Sequence, residues 1–398
     1  MKLIKVASLL TCCIMVLITT DSLATSNKPM LIYSLSDGDK GVDGLNNPRM
    51  ARFSDDASRL FVVSGDDNSL AIFDVHEDYS LTLNQVFKNQ VSSQYKLEGA
   101  SDLVLLNDSS KVAVTSFYDG ALSVFDSAKG GDYKFVNAFS DNLPAEQVFK
   151  SELFDETQDK LGLLGAWGAA KSGDNKQVFV ASYKSNTIAL FDVNAKNELA
   201  FNRLITDDFQ HSVDLGNPVS VAYSHYTREL IIAGFEKHKV TVLSQLSSGK
   251  FAVRQEIAND AQGVKSMLNP QKLALSSEGK FLYVASAGSN TITVFNRVKG
   301  QFSHLQTISN SDIGGAGLNG VGSLAISAGG KQLLAAGESD IGLLIFDIDR
   351  SGRLNFDRKV GADNQLLSGI SSIDITKNDE YAVVTLAKKD AIHILSLK

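Results

Sequence analysis

The chain has 398 residues, with 38 basic, 45 acidic and 6 histidine side chains, a formal net charge of −7, and 43% hydrophobic residues. That acidity, with no cluster of Lys or Arg, argues against nucleic acid and anionic membrane surfaces as partners. Both cysteines, Cys12 and Cys13, lie near the amino terminus, so the remaining chain has no disulfide, thiol nucleophile or thiolate metal site.

In chain order, Lys2 and Lys5 open a basic start, residues 7–20 form a mostly apolar run, and Ser22-Leu23-Ala24 supplies small residues. This is the pattern of a secretory signal peptide over residues 1–24, cleaved after Ala24. The run is too short for a membrane span. Thr11 before Cys12 does not fit a lipid-modified cysteine. The expected mature protein is periplasmic or secreted, has no integral membrane segment, and forms a single domain over 25–398.

Residues 30–35 have strand character without a local partner. A unit of four short apolar runs separated by turn residues follows, and it recurs seven times. Its copies can be anchored on the polar residue ending each first strand: Ser54, Asn107, Ser172, Ser224, Ser276, Ser327 and Thr376. The spacing is close to fifty residues throughout, except for 65 between Asn107 and Ser172. β-branched and aromatic runs broken by Gly, Ser and Asn predict an antiparallel meander, and a fixed period near fifty predicts a radial array. A fourth strand follows only six of the copies. Pairing 30–35 with the last strand, 391–395, completes the seventh. The predicted fold is all-β: a seven-bladed β-propeller with four antiparallel strands per blade, its last blade closed by the N-terminal strand.

The stretch Ser-Ser-Glu-Gly-Lys-Phe-Leu-Tyr-Val-Ala-Ser from Ser276, followed by Asn-Thr-Ile-Thr-Val-Phe up to Phe295, resembles the repeat of the bacterial seven-bladed lactonase-like (YVTN/phosphogluconolactonase-type) propellers. The linkers at 41–45 and 315–320 resemble a Gly-rich turn found between blades in some of them. The resemblance covers residues 30–398 and implies the fold. It also implies lactone hydrolysis, which in that family depends on charged groups, His and Arg among them, gathered at the channel mouth.

The long spacing places an insertion at about 140–164. Phe149, Leu153, Phe154 and Leu161 with acidic residues between them predict a short amphipathic helix over 145–161, lying over the face that carries Trp167. A meander puts the loops entering first strands on the same face as those joining second to third strands, and binding is expected there. The candidate ligand-binding residues on this face are Trp167, Arg49, Asp102, Gln271, Lys272, Tyr118 and Tyr183. Trp167 either stacks on a ligand or packs between blades. The three Asn-Pro pairs, at 47–48, 217–218 and 269–270, read as strand-entry punctuation. The aspartates of Phe-Asp pairs ending third strands are expected to accept backbone hydrogen bonds in the next turn.

Asp37, Asp39 and Asp43 lack the spacing and closing Glu of a calcium loop. No histidine pair has a metal-ligand spacing, and no Gly-x-Ser-x-Gly elbow exists. No metal or cofactor is expected. Two functions remain open. One is an exported binding or scaffold protein, a monomer, recognising a protein, glycan or small molecule at the channel mouth. The other is a periplasmic lactone hydrolase, with His238, Arg49, Asp102 and Glu338 as candidate catalytic residues.

Overall fold

The computed structural model describes residues 30–128, 131–149, 158–209, 211–261, 263–361 and 366–398. The signal-peptide reading of 1–24 therefore lies outside the described residues, as do Leu153 and Phe154. Among the described residues no helix is long and apolar enough to cross a membrane.

Seven four-stranded antiparallel sheets form seven blades, numbered here in chain order. Their first strands are Pro48–Phe53, Ala100–Leu106, Ala166–Lys171, Pro218–Ser224, Pro270–Leu275, Val321–Ile326 and Ile370–Ile375. Each first strand packs against those of the two adjacent blades, so the seven encircle a central channel. The seventh blade has only three strands from the carboxyl-terminal part of the chain. Met30–Ser36 supplies its outer strand, pairing Leu31 with Leu395 and Leu35 with Ile392. Leu35 is buried there. The ring thus closes with strands from the two ends of the chain.

The sequence pattern follows from this packing. Second and third strands are covered on both faces by neighbouring blades, which is why Arg59–Ser64 and Ser69–Val75 are almost continuously apolar and buried. The phenylalanines ending third strands, Phe73, Phe125, Phe191, Phe295 and Phe346, are fully buried between blades. Fourth strands sit at the rim, and Tyr133–Ser140 accordingly alternates buried and exposed positions at its start.

Five of the polar anchors cap the first hairpin of their blade in the same way, while Ser224 Oγ accepts the Thr227 N–H at 3.2 Å instead. Ser54 Oγ accepts the Arg59 N–H at 2.9 Å, Ser172 that of Gln177 at 2.9 Å, Ser276 that of Phe281 at 2.9 Å and Ser327 that of Gln332 at 3.0 Å. Thr376 does the same for Tyr381 at 3.1 Å. Asn107 is an exception: it opens a run of left-handed residues, Asn107, Asp108 and Ser109, with φ of 52°, 52° and 65°.

One local expectation is corrected. The Phe-Asp aspartates bind side chains on neighbouring strands rather than the next turn's backbone. Asp74 accepts Asn84 Nδ2 at 2.8 Å, Asp192 pairs with Asn202, and Asp126 takes the ammonium of the buried Lys111. The insertion begins as a 3-10 turn, Ala145–Phe149, and residues 150–157, where most of the expected helix falls, lie outside the described residues.

The Asp37, Asp43 and Asp67 carboxylates do converge, but Lys88 fills the space between two of them. Its Nζ donates to Asp43 at 2.5 Å and to Asp67 at 2.8 Å. Asp37 Oδ1 meanwhile accepts the N–H groups of Gly44 and Leu45. The equivalent linker before blade 6 repeats the plan with Asn310, Asp340 and Lys359. These acids hold a turn.

Candidate functional site

Every first strand breaks register at its second residue. The shifts fall between Pro48 and Met50, Ala100 and Asp102, Ala166 and Gly168, Pro218 and Ser220, Pro270 and Lys272, Val321 and Ser323, and Ile370 and Ser372. A bulge of this kind adds an unpaired residue and re-aims its side chain. The seven residues concerned are Arg49, Ser101, Trp167, Val219, Gln271, Gly322 and Ser371. All seven line one cavity of about 290 Å³ at the channel mouth, with Asp66, Tyr118, Lys272 and Glu338 among its other walls.

Some of this ring holds itself together. Ser101 Oγ donates to the Trp167 carbonyl at 2.9 Å, and Ser371 Oγ to the Pro48 carbonyl at 2.6 Å, so blades 2 and 3, and 7 and 1, are laced at the mouth. A Cβ on Gly168 would lie 2.5 Å from the Val219 carbonyl, so only glycine lets blades 3 and 4 approach this closely beside Trp167.

The charged groups have distinct states. Arg49 and Glu338 reach across the mouth to pair at 3.2 Å, both partly exposed. Asp102 is buried and fully engaged. Its Oδ1 accepts the Leu103 N–H at 2.8 Å, its Oδ2 the Ala169 N–H at 3.2 Å, and Arg52 stands 3.8 Å away. Deeper in the channel, Arg52 also pairs with Asp374 at 3.4 Å. Burial pushes the Asp374 carboxyl up, against the pull of Arg52 and the Phe53 N–H. Lys272 has no hydrogen-bond or ion-pair partner among the described residues. Burial holds its ammonium below the ordinary lysine range, with Asp102 acting against that shift and Arg52 adding to it. Gln271 beside it likewise has no hydrogen-bonding partner among the described residues, and its amide packs over Gly322.

An aromatic wall closes one side. Phe117 meets Trp167 edge-to-face at 5.1 Å and Tyr118 at 5.2 Å, and lies 6.3 Å from Tyr183. A Cβ on Gly99, whose φ is 67°, would fall 2.5 Å from the Tyr118 ring. The Tyr183 hydroxyl donates to Glu236 at 2.6 Å, and burial together with that carboxylate pushes its pKa up to about 12.

Residues 236–365 and 268–398 both match the model of the lactonase, 7-bladed beta-propeller family. The chain is a seven-bladed propeller whose carboxyl-terminal part, 236–398, is similar to the lactonase family. A curated relative, an uncharacterized protein of Lactococcus lactis subsp. cremoris, is 27% identical over 183 residues, 44% of this chain. That alignment spans about half the relative's length, 51%. Among solved structures, the periplasmic gluconolactonase PpgL of Pseudomonas aeruginosa superimposes with a TM-score of 0.62 at 17% identity, covering 81% of this chain and 86% of its own. The Cps50 (Swd1) propeller domain of Myceliophteria thermophila fits equally well, with a TM-score of 0.63 at 12% identity over 93% of this chain and 100% of its own. At these identities the likeness shows the fold alone.

Of the sequence-derived candidates in this propeller, Arg49, Asp102, Trp167, Gln271, Lys272, Tyr118 and Glu338 all line the mouth, and Tyr183 lines an adjoining cavity. His238 lines neither. Its Nδ1 accepts the Asn269 N–H at 3.1 Å. The equivalent loop positions are Asn68, Asn186, Asn290 and Asp390, whose side-chain oxygens accept N–H groups of Gly99, Asn217, Gly320 and Asn47 at 2.8–2.9 Å. His238 therefore stands in a structural series. Sequence reasoning missed Arg52, Asp374 and Phe117. Arg52 and Asp374 sit two residues before their anchors, where the third to sixth copies carry Ala170, Ala222, Ala274 and Ala325.

Proposed function

We propose that the channel mouth binds one monosaccharide-sized, hydroxyl-rich ligand carrying a carboxylate or carbonyl group. The observation behind this reading is the Gln271–Lys272 pair. Two adjacent half-buried polar side chains, both without partners among the described residues, line a cavity where Ser101 and Ser371 are committed to holding the ring. Their free donors and acceptor are available to a polar ligand. Arg49, in a partly exposed and hence weak ion pair with Glu338, is the second anion-binding group. Trp167 offers an apolar face to a sugar ring. A cavity of about 290 Å³ suits a small molecule better than a protein epitope or a long glycan.

Calorimetric titration with gluconate and glucuronate tests the reading. Binding should weaken at least tenfold in Lys272→Met and in Arg49→Ala, with the folded spectrum intact. Unchanged affinity in both variants removes the mouth as the site.

Lys272 also favours a second reading, lactone hydrolysis. A desolvated lysine with a lowered pKa carries more neutral amine, which can take a proton from water as the water attacks the lactone carbonyl. The carbonyl becomes an oxyanion beside Arg49, the ring C–O bond breaks, and the alcohol leaving group takes the proton back. The likeness to a gluconolactonase supports this reading only as a fold. Turnover of glucono-1,5-lactone above its spontaneous rate, lost in Lys272→Met, establishes it. A rate equal to the uncatalysed one leaves a binding protein.

The exported location belongs to the same proposal, supported by the 1–24 pattern. Cell fractionation with amino-terminal sequencing of the mature chain tests it, and an uncleaved cytoplasmic product would refute it.

A further inference from the structure

Beside the polar mouth lies a second cavity, of about 570 Å³, with a different character. Its walls include Phe117, Val148, Phe149, Trp167, Tyr183 and Phe235, and it shares Phe117, Trp167, Val219 and Gln271 with the mouth. The two spaces therefore adjoin across the Phe117 and Trp167 side chains.

Two of the polar groups around this annex are engaged elsewhere. The Tyr183 hydroxyl donates to Glu236, and Asn217 Nδ2 donates to the Tyr183 carbonyl at 3.0 Å. The rest of the wall is mainly aromatic and aliphatic, with Lys184 and Gln271 as its other polar residues. The insertion contributes the outer side. Gln147 and Val148 are buried and pin the Ala145–Phe149 turn, while Phe149 is 71% exposed. Its ring lies 5.7 Å from Tyr118. A large aromatic held out by a packed turn, over a largely aromatic cavity that adjoins a polar site, is the arrangement of a subsite.

We infer that the ligand is amphipathic: its hydroxylated, anionic or carbonyl-bearing part occupies the mouth, and an aryl or short acyl substituent lies in the annex under Phe149. The inference rests on the mouth-binding reading above and extends it to a substrate class, a sugar acid or lactone bearing an apolar group. The annex then supplies selectivity through offset or edge-to-face contact with Phe117, Tyr183 and Phe149, which is worth up to about tenfold in affinity.

The test compares glucuronate with 4-nitrophenyl β-D-glucuronide, in the full mature chain and in Phe149→Ser and Arg49→Ala. The aryl glucuronide should bind about tenfold tighter than glucuronate. Phe149→Ser should remove at least threefold of that gain and leave glucuronate unchanged, whereas Arg49→Ala should weaken both ligands. Equal binding of the two ligands, with Arg49→Ala still weakening both, overturns the annex and leaves the mouth reading standing. A tighter aryl ligand indifferent to Phe149→Ser also overturns it, as does 4-nitrophenol alone binding as tightly as the glucuronide. Binding of neither sugar ligand overturns both readings together.

Discussion

The Nδ1 of His238 accepts the backbone N–H of Asn269 at 3.1 Å, fastening the second-to-third-strand loop of blade 4 to the entrance of blade 5. His238 has a left-handed backbone with φ 51°, as do Asn68, Asn186 and Asn290 with φ of 50°, 51° and 56°. Asparagine tolerates that region and presents its oxygen in the same place. His238→Asn should therefore melt within about 2 °C of the parent. His238→Ala should lose about 1 kcal/mol for the orphaned amide. Neither should change affinity at the mouth more than twofold. A large loss of binding in His238→Asn would restore the histidine to the functional site.

Lys88 stands between Asp43 and Asp67 where a cation would otherwise sit. Burial works against its charge, yet the two carboxylates hold it above the ordinary lysine range. Millimolar calcium or a chelator should leave the melting temperature of the parent unchanged. Lys88→Met should cost about 1–3 kcal/mol, because the acids keep their charge and lose their partner. Calcium-dependent stabilisation of the parent would show that a metal competes for this place.

Much of this fold could be read from particular residues. Ser54, Ser172, Ser276 and Ser327 recur because a hydroxyl there caps the first hairpin, and the buried phenylalanines recur because each third strand is sandwiched between blades. The channel was harder to see. Sequence pattern starts the fifth first strand at 273, whereas it runs Pro270–Leu275. Its first half faces a polar mouth and carries a bulge, so neither hydrophobicity nor alternation marks it. Arg52 and Asp374 were visible only by aligning the copies, where they replace alanines that leave the channel open. His238 misleads because its residue type suggests chemistry, although its place in the series beside Asn186 and Asn290 was there to be compared. In the insertion, the spacing of Phe149 and Leu161 suggested a helix, but Leu161 packs into the core between blades 2 and 3.

Removing Met30–Ser36 should strip the outer strand from blade 7. The deletion exposes Ile392 and Ile394, loses the buried Leu35 and leaves the Ala391–Ser396 edge unpaired. The burial and ladder bonds together are worth at least about 4 kcal/mol, so thermal unfolding should shift down by about 5 °C or more. A melt within 2 °C of the parent would mean that the two ends do not hold the ring.

Lys272→Met tests the channel charge without a ligand. Burial lowers the folded pKa of Lys272 below its unfolded value, so between those two values the unfolded chain binds more protons. Charging this lysine therefore costs stability as pH falls through that window. The Met variant, which carries no charge, should be more stable than the parent at neutral pH and should lose that advantage as pH rises towards about 10.4. Denaturant melts at pH 7 and pH 10 measure the difference. A variant less stable at pH 7 would show that the ammonium has a partner in the folded channel.

His393 lies in the strand that meets Met30–Ser36, opposite Ser34, and is almost fully buried with no partner for its Nδ1. Burial, with Lys389 adding to it, pushes its pKa down from 6.5 to about 4. As pH falls below 6.5 the unfolded chain takes up a proton that the folded chain refuses, so stability drops until about pH 4, where both states are charged. The full difference corresponds to roughly 3 kcal/mol. His393→Leu has no proton to refuse, so its stability should fall by about that much less than the parent's between pH 6.5 and 4. The two should run parallel above pH 7. The effect falls on the closing blade, so deleting Met30–Ser36 should expose His393 and abolish this acid sensitivity. Urea melts of parent, His393→Leu and the deletion across pH 4–8 separate the contributions. An acid limb equally steep in parent and His393→Leu would place the sensitivity instead in carboxylates that hydrogen bonds hold below their ordinary range, such as Asp56 and Asp174.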